Sequence, residues 1–234
     1  SIEAEEYCNW IIESKKKHLI KGHKLRKIKF VNNIKNYQHM KLMMLNASHC
    51  STSFLAYLNK NNYVNETFNN KYFLLFIKKY LDKDVIPYLA KNFYNYEKFK
   101  KEIITRFSNR FLKDKTSRTV ENGSTNLGVF IKPSLINCFK NNKDLRRFAL
   151  IYASWFIFIF RNKCQNWRKL NDSNKQQIIK LSNNQKISSD LFKYDKLINI
   201  FFVAKNHEFL KNLNYYMNLL KKNKIYEALS HASK

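Results

Sequence analysis

The residues best placed to do chemistry lie in one short run, Met-Lys-Leu-Met-Met-Leu-Asn-Ala-Ser-His, residues 40 to 49. It sets Lys41, Asn46 and His49 in a stretch that is otherwise apolar or small. A lysine can take up or give a proton, an amide can hydrogen-bond a developing oxyanion, and an imidazole can hold hydroxyl groups. If the run is an α-helix, Asn46 sits about 140° around from Lys41, and His49 lies between them at about 80°. Leu42 and Leu45 share that arc, while Met43 and Met44 take the opposite side. A helix apolar nearly all round should be buried. Buried polar groups need partners, and a small polar substrate is one kind of partner. The plainer reading is a lysine that snorkels to solvent and a core amide and imidazole that satisfy neighbouring backbone. Pattern alone favours that plainer reading.

The elements that must position these residues read as mainly helical. The chain has 234 residues, 44% of them hydrophobic and 15% aromatic, enough to bury a sizeable core. Three glycines and two prolines leave few breakers, which predicts helices and argues against a turn-rich all-β fold. An amphipathic helix is expected over residues 3–20, where Tyr7, Trp10, Ile11, Ile12 and Leu19 recur. A short strand is expected over 27–31, from the alternating Lys-Ile-Lys-Phe-Val. Helices follow near 37–59, 65–91, 95–109, 112–120, 133–141, 143–161, 173–183, 188–204 and 206–222, with a short one after 223. Asn65 and Ser189 are candidate N-caps. The polar stretch 162–187 reads as a flexible surface insertion. The fold expected is therefore a multi-helical domain over 36–234, with 1–35 as the tail of a preceding domain.

Composition also excludes function classes. Gly22, Gly123 and Gly128 cannot form a Gly-x-Gly-x-x-Gly fingerprint or a P-loop. The most apolar window, Phe148 to Phe160, is too short to span a bilayer and reads as a core helix. No charged-then-apolar leader opens the sequence, and Cys8, Cys50, Cys138 and Cys164 are widely spaced. These features suggest reduced, mostly buried thiols in a cytoplasmic protein, with no disulfide framework and no metal site. The formal charge of +27 invites a nucleic-acid reading. Lysine is abundant everywhere and acids are scarce throughout, so a solvated basic surface is the favoured reading and a basic helical nucleic-acid-binding module the alternative.

Three ordered stretches resemble the mannitol dehydrogenase family, the long-chain polyol dehydrogenases. The first is Trp10-Ile11-Ile12-Glu13, Gly22, Phe30-Val31, then Tyr37 and Gln38 followed by Lys41, Asn46 and His49. The second is Arg106-Phe107-Ser108-Asn109, with Arg118 and Gly123-Ser124 at matching distance. The third is Pro133-Ser134 and then Leu145-Arg146-Arg147-Phe148-Ala149-Leu150, ending in Trp155. The pattern looks like the mannitol 2-dehydrogenase and fructuronate reductase branch, and spans roughly residues 5 to 160.

The resemblance implies a C-terminal dehydrogenase domain like that of 6-phosphogluconate dehydrogenase, acting on a polyol or sugar acid. It implies NAD or NADP, bound mainly by an upstream Rossmann-type domain that this sequence lacks, and no metal. No residue here is assigned to the cofactor, and the chain alone is expected to be inactive. By the same resemblance Lys41 is the general acid/base, its neutral form favoured by desolvation beside Met40, Leu42 and Leu45. Asn46 donates to the developing oxyanion, His49 positions the reacting hydroxyls, and Arg118 holds a distal one. Asn126 occupies a substrate-side position where the family usually has lysine. Gln38 stands where a glutamate is common, and Arg110 replaces a proline. Those departures raise the alternative of a degenerate, inactive relative.

Overall fold

The computed structural model describes residues 10–14, 28–91, 93–182, 202–203 and 205–234. It opens on two short parallel strands. β1 (Trp10–Glu13) pairs with β2 (Ile28–Val31), Trp10 opposite Ile28 and Glu13 opposite Val31. The strand expected at 27–31 is present. The helix expected over 3–20 is overturned at residues 10–13, and the rest of it lies outside the described residues. Two adjacent isoleucines after a tryptophan favour a pleated surface more than a helical one, and a partner strand decides the matter. The Glu13 carboxylate accepts the Ile34 N–H at 3.0 Å, so the sheet anchors the start of the first helix.

That first helix carries the candidate residues. α1 (Lys35–Met40) runs through a π-turn (Lys41–Asn46) into α2 (Ala47–Leu58) without a break. The expected helix 65–91 divides in two. α3 (Val64–Phe68) ends, and Asn70 then caps α4 (Lys71–Lys79) by accepting from the Tyr72 and Phe73 N–H groups. Asn65 lies inside α3 and is not its cap; the extended residue before the helix is Tyr63. Ser189 lies outside the described residues. A second π-turn (Tyr80–Val85) and a 3-10 turn (Ile86–Tyr88) follow. Asn95 caps α5 (Tyr96–Phe107), its side chain accepting from Lys98 N–H.

Of the helix expected at 112–120 only α6 (Thr116–Thr119) forms. Residues 112–115 are tied down instead: Tyr63 and Lys115 make an antiparallel bridge, with Val64 N–H on the Asp114 carbonyl and Thr116 N–H on the Asn62 carbonyl, each at 2.9 Å. Sequence reading missed α7 (Gly123–Asn126) and a third π-turn (Leu127–Ile131), which lead straight into α8 (Lys132–Lys140). α9 (Arg146–Cys164) is followed by α10 (Lys175–Ser182), α11 (His207–Lys221) and α12 (Ile225–Ala232). The helix expected at 188–204 is almost wholly outside the described residues; Phe202 and Val203 lie in a turn.

The core sits around α9, which is buried on all sides from Arg147 to Ile159 and packs on α2, α11 and α12. It is the core helix its composition predicts, and no described helix is long and apolar enough to cross a membrane. Arg147, the charged residue within it, is met by Asp84 through Nε and through Nη2 to Oδ1 at 2.9 Å, and its Nη1 reaches the Ala232 carbonyl at 3.3 Å. A buried carboxylate and guanidinium matched this way satisfy both charges at once. The stretch expected as a flexible insertion at 162–187 is in its described part a packed element. Leu170 and Asp172 are buried, and Asp172 accepts the Ser124 N–H at 2.9 Å and hydroxyl at 2.6 Å. Cys50 and Cys138 are buried, and burial pushes both thiols up to about 12; Cys164 is exposed and Cys8 lies outside the described residues.

Candidate active site

An open cleft of about 570 Å³ lies where α2, the end of α5, the 112–118 segment and the α7 turn meet. Asn46 and His49 line it from the first helix, Arg118 from α6 and Asn126 from α7. Four of the five residues singled out from sequence are thus brought to one concavity from three separate segments. Lys41 is exposed and is not among the cleft-lining residues. The desolvation expected of its ammonium is not supplied by its helix: Met40, Met43 and Met44 are buried in the core, and Lys41 faces away from them.

The π-turn changes the arrangement of the trio. Ala47 donates to the Leu42 carbonyl, five residues back. A turn closed in this way brings residues five apart to nearly the same side, so Asn46 moves toward alignment with Lys41 instead of standing about 140° away. Two of the three π-turns end just before the two prolines of the chain, Pro87 and Pro133. A proline has no N–H to give and its ring crowds the carbonyl four residues back, and a widened turn relieves both. The Lys41–Asn46 turn has no such proline. Wide turns of this kind are frequent at functional sites.

His49 stands with its ring against Phe107, centroids 3.8 Å apart and nearly perpendicular, with Phe68 behind. Burial pushes its pKa down to about 4; the Asp114 carboxylate opposes this, and the Arg118 and Arg106 charges add to it. The imidazole is therefore neutral at neutral pH, with one nitrogen a donor and the other an acceptor, suited to a hydroxyl. Arg118 is aimed by Asp114: Nε and Nη2 both meet Oδ1, at 3.0 and 2.7 Å. With the arginine side chain 70% exposed, this pair adds little stability. Its effect is to fix the guanidinium on the cleft wall. One amide hydrogen of Asn126 goes to the Glu121 carbonyl at 2.9 Å, which holds the side chain at the mouth of α7.

Sequence reasoning missed Arg106, Lys113 and Asp114, all of which line the cleft. Arg106 stood in a quoted motif, and the four-residue spacing of Asp114 and Arg118 was a visible pairing signal. With Arg118 they give three cations and one carboxylate around a floor of Leu45, Phe107 and Phe130, a surface suited to electron-rich oxygens. Gly123-Ser124 does not reach the cleft. A Cβ on Gly123 would sit 2.5 Å from Phe54 Cζ, so glycine there lets α7 pack on α2. Ser124 is spent on Asp172 and accepts from Asn174 Nδ2 at 3.0 Å.

Comparison with known proteins agrees with this architecture. The D-arabinitol 4-dehydrogenase of Klebsiella pneumoniae is 22% identical over 168 residues, 72% of this chain and 36% of its own length. The polyol:NADP oxidoreductase of Gluconobacter oxydans is 28% identical over 153 residues, 65% of this chain and 32% of that protein. The mannitol 2-dehydrogenase of Phaeosphaeria nodorum is 30% identical over 130 residues, 55% of this chain and 23% of that protein. The chain thus spans about a third or less of these relatives. A solved structure of Pseudomonas fluorescens mannitol 2-dehydrogenase, a ternary complex with NAD and D-mannitol, superposes with a TM-score of 0.76 at 23% identity, covering 87% of this chain and 42% of that one. The family model for the mannitol dehydrogenase C-terminal domain matches residues 33–221, and the chain belongs to that family.

Proposed function

We propose that this chain is the substrate-binding and catalytic part of an NAD(P)-dependent dehydrogenase that interconverts a polyol or sugar acid with the corresponding keto sugar, mannitol with fructose or mannonate with fructuronate. The observation that carries the reading is the meeting of Asn46, His49, Arg118 and Asn126 in one cleft, on the helix run that also carries Lys41. Residues 1–35 are the end of the cofactor domain and 36–234 the substrate domain. Parallel strands such as β1 and β2 belong to sheets built by crossover connections, which supports that division, as does a family match that begins at residue 33.

A bound nicotinamide supplies the hydride chemistry. Lys41 takes the proton of the reacting hydroxyl in oxidation and returns it in reduction. Asn46 donates from its amide to the oxygen on which charge develops, and neutral His49 aligns the neighbouring hydroxyl. Arg118, held by Asp114, grips a distal oxygen. Lys41 is open to solvent on its own helix, so a surface from outside this domain must cover it for its ammonium to be desolvated. The three cations of the cleft suit hydroxyl oxygens and, equally, a substrate carboxylate. The test is a full-length protein assayed with mannitol, fructose and fructuronate. Lys41→Ala is expected to lower kcat by at least a hundredfold with KM little changed; intact turnover would remove the lysine from the mechanism.

A further inference from the structure

A second cleft, of about 530 Å³, lies against the other side of the Tyr63–Lys115 bridge. The two clefts share that bridge as a wall: Val64, Asp114 and Arg118 face the first, and Asn62, Tyr63, Lys115 and Ser117 face the second. The second has no part in the reaction proposed above.

Its charge is one-sided. Lys60, Lys115, Arg161 and Lys169 line it, and no aspartate or glutamate does. Among the described residues none of the four is paired with a carboxylate; Arg161 reaches only the Asn223 side-chain oxygen, at 2.6 Å. Elsewhere the same chain spends its scarce acids on cations, as at Lys100, Arg118, Arg146, Arg147 and Lys224. Like charges around a concave surface repel one another and concentrate a positive potential within it. A polyanion relieves both effects.

Asn162 lines this cleft and is 3% exposed, with its Nδ2 bonded to the Phe158 carbonyl at 3.0 Å, so the wall there is fixed. The volume falls in the usual range of small-molecule sites, roughly 300 to 1,000 Å³.

We propose that this second cleft binds a small molecule carrying two or more phosphate groups. The test is titration calorimetry of the full-length protein with magnesium-free ATP and with inorganic tripolyphosphate. Both are expected to saturate one shared site. Lys60 and Lys169 are exposed and bond no side chain, so Lys60→Gln/Lys169→Gln keeps the fold, and it is expected to weaken both ligands at least tenfold. Lys211→Gln/Lys221→Gln, the same change of charge on α11, is expected to leave both within twofold. Absence of saturable binding, binding unchanged in Lys60→Gln/Lys169→Gln, or an equal loss in the α11 variant would overturn the proposal. Displacement of ATP by a single-stranded oligonucleotide at lower phosphate concentration would overturn it in favour of nucleic acid.

Discussion

The neutral imidazole of His49 has a thermodynamic signature. Its pKa falls from 6.5 in the unfolded chain to about 4 in the fold, chiefly through burial against Phe107. Between those values the unfolded chain binds the proton and the folded one does not, so stability rises with pH across the window and is lost as pH falls. At pH 5 the unfolded imidazole is almost fully charged and the folded one almost fully neutral. The linkage then removes about 2 kcal/mol relative to pH 7.5. His49→Phe keeps an aromatic ring against Phe107 and deletes the titration. The assay is urea unfolding of both proteins at pH 7.5, 6 and 5, with the difference between their stabilities plotted against pH. The difference cancels other titrating groups: Asp84, which burial raises to about 6 and which acts in the opposite sense, and His231, which burial lowers and which acts in the same sense. The wild type is expected to lose about 2 kcal/mol more than the variant on going to pH 5. Parallel curves would refute a neutral, buried His49, and with it the reading that the imidazole meets substrate as both donor and acceptor.

Three further outcomes are expected. Arg147→Met strands the Asp84 carboxylate in the core and is expected to cost about 3 to 5 kcal/mol, with Asp84→Asn/Arg147→Met markedly less destabilised in the same urea series. Gly123→Ala drives a methyl group into Phe54 and is expected to cost about 1 to 3 kcal/mol, part of which Phe54→Leu should restore, as read by thermal unfolding of the single and double variants. Gln38 is exposed one turn before Lys41, where a carboxylate can exchange protons with solvent; Gln38→Glu is expected to raise kcat of the full-length enzyme several-fold, with the gain largest where proton release limits turnover.

How much of this was legible in the sequence depended on which residue did the punctuating. The long helix around Trp155 and the strand at Ile28–Val31 follow from pattern and breaker rules, whereas the caps do not: Asn65 is singled out by pattern, and Asn70, Asn95 and Asn206 are the asparagines that cap. The breaks inside the expected helices were harder to see because this chain uses asparagine where others use glycine. Asn122, Asn142, Asn166 and Asn223 all take positive φ, near 50 to 57°, a conformation that asparagine tolerates better than other side chains. In a chain so rich in asparagine a single one marks nothing, so α7 was missed and the 65–91 helix was drawn whole. The Asp172 anchor escaped for a related reason: a lone acid in a polar stretch reads as surface until Ser124, about fifty residues away, is seen to need it.

The π-turn at Lys41–Asn46 was the least legible feature and the most consequential one. Helical wheels assume a fixed advance per residue, and one residue of widening breaks that assumption for everything before it. Two of the wide turns could have been suspected from Pro87 and Pro133, since each proline removes a donor at the helix turn that follows. The third has no local cause in the sequence. It packs against both of the others, and Met43 and Met44 within it are buried. The methionines lie in the core while Asn46 and His49 stand on the cleft and Lys41 is exposed outside its lining. Removing one residue from the turn would restore the α advance and rotate α1 relative to α2, turning Tyr37 and Met40 away from the core they are buried in. Wide turns of this kind are frequent at functional sites, and this one ends on Asn46 at the cleft.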